Sequence, residues 1–139
     1  MRSPDDLLWP MLAHMALVFA LYAWLSAART LAVRRGEIGY GAFEFSGSEP
    51  PAIARITRNL SNQFELPVIF YAAILILRTA EVRPWDVAAA WVFVAGRVLH
   101  TAVQTRSGNV QLRGLVFMIN AAACMALVGH VVLIAWRQR

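Results

Sequence analysis

Arg55, Arg58, Asn62 and Glu65 fall at i, i+3, i+7 and i+10 of one apolar stretch, a spacing that gathers two guanidiniums, an amide and a carboxylate into one stripe of a helix. Arg97, His100 and Gln104 repeat the device at i, i+3 and i+7, and Arg113 opens the next apolar run. The chemistry these residues suit is anion binding. A guanidinium presents a planar fork that engages both oxygens of a carboxylate. One glutamate cannot neutralise Arg55, Arg58, Arg97 and Arg113 together, so an anionic ligand would complete the balance. Taken singly, each feature also has a structural explanation: Arg58 with Glu65 could be a purely structural ion pair, and His100 an interhelical hydrogen bonder. The sequence holds no metal-ligand cluster, phosphate loop or Ser/His/Asp arrangement, and no metal is expected.

The elements that carry these charges otherwise read as membrane. A charged side chain at a bilayer centre costs roughly 2.5–3.5 kcal/mol on insertion scales, so such a stripe must turn toward protein or a water-filled cavity. Hydrophobic residues make up 59% of the 139, too many for a soluble domain. Matching uncharged runs to the roughly 20 residues that cross a bilayer gives four helices, at about 7–33, 51–78, 84–106 and 113–136, in a single domain. The fold class is therefore all-α and integral to the membrane, and short connections make it an up-down four-helix bundle. The first and fourth helices tolerate lipid, while the charged second and third belong inside. Pro67 cannot donate to the Gln63 carbonyl, so the second helix should bend or present a free acceptor beside Glu65.

All 13 basic residues are arginine, against eight acids, for a net charge of +5. They flank or enter apolar runs instead of forming a soluble basic patch, which points to topology and anion binding and away from nucleic acid. Arg34, Arg35 and Arg106 serve as topology signals, and the arginine bias expects loops 34–50 and 107–111 on the cytoplasmic side of a bacterial inner membrane. The connection 34–50 is long, glycine-rich and closed by Pro50, a candidate lid. The run Leu7 to Ala28 exceeds a signal-peptide core and reads as a retained spanning helix. Cys124, the single cysteine, excludes an intrachain disulfide and fills space, and His14 and His130 are expected in packing or interhelical bonds.

These motifs resemble the family of membrane-associated proteins in eicosanoid and glutathione metabolism, MAPEG. Its second-helix pattern of Arg, two residues, Arg, three residues, Asn, two residues and Glu is similar to Arg55, Arg58, Asn62 and Glu65 here. Its third-helix Arg and the residue three later look like Arg97 and His100, and its thiolate-stabilising arginine looks like Arg113. Where members carry a tyrosine seven after the third-helix Arg, this chain has Gln104; where one branch has serine after the thiolate arginine, it has Gly114. The resemblance covers about residues 51–120. It implies a homotrimer that binds glutathione between subunits near the cytoplasmic face, with Arg58, Asn62, Glu65 and His100 holding the peptide. Arg55, Arg97 and Gln104 would assist, and Arg113 would activate the sulfur for attack on a lipophilic small molecule arriving through membrane lipid. The alternative is a non-catalytic membrane protein whose charged cluster assembles the trimer or binds lipid or another anion.

Overall fold

Four apolar spans organise the chain. In a computed structural model, which describes residues 3–44 and 48–138, they are Pro4–Arg34, Pro51–Thr79, Pro84–Arg106 and Val110–Arg137. Each exceeds the roughly 20 residues a bilayer requires, and the protein is a multi-pass integral membrane protein. Residues 45–47 of the candidate lid lie outside the described residues.

The first span opens with a 3₁₀ turn, Pro4–Leu7, whose cap Ser3 accepts from the Asp5 amide, and continues as α1, Leu8–Arg34. The second is interrupted. Helix α2 runs Pro51–Ser61, a 3₁₀ turn spans Asn62–Phe64, and α3 resumes at Leu66–Thr79. Glu65 sits at the joint with φ −98° and ψ −101°, and Pro67 opens the new helix without an amide to give. The sequence expected a helix over 51–78 that bends or presents a free acceptor beside Glu65; the structure divides it at that point. Helix α4, Pro84–Arg106, begins with a proline, and the Asp86 carboxylate accepts from the Arg83 amide at 2.7 Å. Helix α5, Val110–Arg137, starts a turn before Arg113 because Asn109 caps it, accepting from the Leu112 amide at 3.0 Å.

Helix α4 packs most extensively on α5. One apolar core, centred on stacked Phe70 and Phe93 with centroids 4.1 Å apart, joins Leu7, Ile74 and Leu127. Cys124 is buried within it. A smaller core of Leu21, Leu25, Ile53, Ile56 and Leu60 holds α1 against α2. Large apolar side chains such as Phe19, Val68, Leu115 and Met125 face outward, as lipid contact demands.

The 34–50 connection folds back on the bundle. The Arg29 guanidinium lies over the Phe43 ring at 4.9 Å and its Nε donates to Glu49 at 2.8 Å. Thr57 of α2 donates to the second Glu49 oxygen at 2.7 Å. Glu49, near the end of the connection, is thus tied to both α1 and α2.

Candidate functional site

The break in the second span builds the site. Where α2 gives way to the 3₁₀ turn, Arg97 Nη2 donates to the Asn62 carbonyl at 3.0 Å. A guanidinium therefore caps the negative end of α2 inside the bundle. Arg97 is 1% exposed. One turn along α4, His100 is also buried, and its Nδ1 meets no hydrogen-bond partner among the described residues.

Around them a cavity of about 270 Å³ is lined by Arg58, Asn62, Glu65 and Leu66 of the second span, Arg97 and His100 of α4, and Arg113, Gly114 and Phe117 of α5. A second cavity of about 320 Å³ shares Arg58 and Arg113 and adds Arg55, Gln104 and the Ser107 to Asn109 connection. Ligand pockets occupy roughly 300–1,000 Å³, and two cavities sharing a wall of arginines reach that range together. The residues singled out in the sequence thus divide: Arg58, Asn62, Glu65, Arg97, His100 and Arg113 meet in the first cavity, while Arg55 and Gln104 line the second. Gln104 Oε1 accepts from Asn62 Nδ2 at 3.0 Å and joins the two walls.

The charge in the first cavity is unbalanced, three guanidiniums against one carboxylate. Among the described residues the ion pairs engage Arg29, Arg35, Arg78 and Arg83, and none engages Arg55, Arg58, Arg97 or Arg113. No ion pair joins Arg58 to Glu65: seven residues apart, they stand about two helical turns from one another. Arg58 and Glu65 remain exposed in the single chain although Glu65 lies midway along its 29-residue span.

A second polar layer crosses the bundle behind Arg97. Gln63 Oε1 accepts from Arg97 Nε and lies 3.1 Å from His14 Nε2, while Gln63 Nε2 donates to the Asn59 carbonyl, also at 3.1 Å. His14 Nδ1 lies 2.6 Å from the Tyr71 hydroxyl, and Asn59 Nδ2 donates to Thr101 at 3.1 Å. The sequence reading expected His14 in packing or interhelical bonds, and it bonds across helices to Tyr71 and Gln63; the side chains of Gln63 and Asn59 it passed over. Their signal was present: Asn59 and Gln63 are polar residues at i, i+4 on the buried side of a spanning helix.

At the opposite end, buried Asp86 accepts from His130 Nδ1 at 2.9 Å, with Trp85 against the imidazole at 4.7 Å. Outside the membrane-spanning helices, Arg83 Nε donates to Glu81 at 2.9 Å and holds its carboxyl below the usual glutamate range.

Comparison with curated proteins gives no match. A family model, that of the MAPEG family, matches residues 7–133.

Proposed function

The chain belongs to the MAPEG family, and from that membership and the site we propose that it is a glutathione-dependent membrane transferase or peroxidase acting on small lipophilic electrophiles. The observation that carries this reading is the charge of the first cavity. Glutathione with its thiol ionised has two carboxylates, one thiolate and one ammonium, which complement three guanidiniums and one carboxylate. Arg58 and Arg97 serve the carboxylates, with Asn62 and His100 adding polar contacts, and Glu65 takes the ammonium. Arg55 and Gln104 steady the mouth of the site from the second cavity.

Arg113 activates the sulfur. A free thiol with a pKa of about 8.5 is mostly protonated at neutral pH, and a guanidinium within a few ångströms favours the thiolate. The thiolate then forms the new bond to an electrophile arriving from the lipid, and the electrophile's leaving group departs. Arg58 and Glu65, exposed at membrane depth in one chain, cannot face lipid without a cost of several kcal/mol. A neighbouring copy covering them would close the site, in keeping with a homotrimer.

An ultraviolet difference spectrum of purified protein titrated with glutathione near neutral pH tests this, with S-methylglutathione as control. A thiolate band from glutathione alone, lost in Arg113→Ala with assembly intact, is expected. No band together with no calorimetric binding would overturn the proposal.

A second reading has its own support: Gly114 brings no hydroxyl to the cavity, and the Asn62 amide is already committed to Gln104. In it the cluster binds a lipid headgroup or another anion, or assembles the trimer, without turnover. Dissociation of the trimer in Glu65→Ala, with no thiolate band from the native protein, would be its signature.

A further inference from the structure

Hydrogen-bond directions in the polar layer behind Arg97 are fixed by chemistry. The guanidinium Nε can only donate, so the Gln63 atom facing it must be the carbonyl oxygen; the Asn59 backbone carbonyl can only accept, so the amide nitrogen must face that way. With Gln63 so oriented, His14 Nε2 must carry a proton to bond Oε1 at 3.1 Å. In the neutral ring Nδ1 is then the acceptor, and the Tyr71 hydroxyl donates to it at 2.6 Å. The series runs Tyr71 to His14 to Gln63, and Gln63 receives Arg97 from the other side. Each link determines the orientation of the next.

His14 and Gln63 are 0% and 1% exposed, and Phe70 and Phe93 hold the imidazole at centroid distances of 6.2 and 5.8 Å. Gln63 Nε2 also lies 3.4 Å from Asn59 Oδ1, which holds the amide in the same sense. The Arg97 guanidinium, fastened at Nε by Gln63 and at Nη2 by the Asn62 carbonyl, has its plane set by two contacts. The plane decides which edge of the fork faces the cavity. Losing the Nε contact leaves one pivot, about which the fork can turn.

We propose that Tyr71, His14 and Gln63 are positioning residues that fix the Arg97 guanidinium from the far side of the bundle and thereby set the affinity of the cavity for a carboxylate. The affinity rests on the glutathione reading above; the orientation of Arg97 does not.

The test uses the full chain in bicelles with ¹⁵N-labelled arginine, the Arg97 Nε–H signal being assigned by its loss in Arg97→Lys. Native protein should show this proton protected from solvent exchange. His14→Leu, which leaves Gln63 Oε1 without its second donor, should shift or broaden the signal and weaken glutathione binding about fivefold, the equilibrium equivalent of one net hydrogen bond. His14→Gln can donate to Gln63 and accept from Tyr71, so it should restore both. An unchanged Arg97 signal in folded His14→Leu would overturn the inference, as would equal damage from His14→Gln. Should His14→Leu fail to fold, Tyr71→Phe removes only the terminal donor, and an unchanged signal there is equally fatal. Native protein that binds no glutathione, but whose Arg97 signal answers to His14, would remove the proposed function and leave the positioning role standing.

Discussion

Replacing Gln63 by methionine removes the hub of the polar layer while leaving its volume nearly filled, so the effect reads hydrogen bonding instead of a cavity. Two donors lose their acceptor, the His14 imidazole and the Arg97 guanidinium, each at 3.1 Å in the native protein. In a soluble protein, orphaning a buried donor costs about 1–3 kcal/mol, which would give roughly 2–6 kcal/mol for the pair. A bilayer lowers the figure. Unfolded helices in lipid find other partners, and interhelical hydrogen bonds there average about 0.6 kcal/mol with a maximum near 1.7. Two contacts, one to a charged donor, therefore place the loss at roughly 1–3 kcal/mol. Steric trapping in bicelles measures it directly, and a loss under about 0.5 kcal/mol would refute the energetic importance of the layer. The double variant with His14→Leu should fall short of the sum of the singles by roughly 0.5–1.5 kcal/mol, because both remove the same bond. Strict additivity would show that the two side chains are not coupled.

Gly96 of α4 faces the buried Asn120 amide, which stands where a Cβ would lie and meets no hydrogen-bond partner among the described residues. Gly96→Ala should cost about 1–3 kcal/mol by overpacking and lower the thermal midpoint in detergent, with most of it regained in Gly96→Ala/Asn120→Ala; an unchanged midpoint in the single variant would contradict the packing. His130→Leu deprives buried Asp86 of its Nδ1 donor and leaves it the Arg83 amide alone, so a loss of about 1.5–3 kcal/mol is expected, checked by the same unfolding assay. For Glu81, whose carboxyl is held low by the Arg83 contact, the stabilising effect is complete above the ordinary glutamate value and disappears as pH falls through the lowered one. Its ¹³C-carboxyl titration should move up toward the ordinary glutamate range in Arg83→Gln, and an unmoved curve would sever the two.

Composition and uncharged run lengths were enough to determine a four-span, all-helical membrane protein, because lipid leaves backbone amides no partner outside a helix or barrel. The spacing of Arg55, Arg58, Asn62 and Glu65, and of Arg97 with His100, was legible because charge within a span cannot face lipid; that Arg97 and His100 turn into the bundle while Arg55, Arg58 and Glu65 stay exposed in the single chain was not. Local chemistry placed the disturbance at Pro67, since a missing amide is a property of the residue itself. What it could not give was the outcome of that disturbance. Whether the helix bends or divides depends on the packing around the break, and only the placement of α4 brings Arg97 to the neighbouring Asn62 carbonyl. Only the assembled bundle shows that Arg58 and Glu65 line one cavity without pairing, leaving three guanidiniums against one carboxylate. Gln63, His14 and Tyr71 belong to different parts of the chain, separated by 49 and 57 residues from His14. No single helix shows them as a set. Their bond directions follow from chemistry once they meet, but that they meet is decided by the bundle alone.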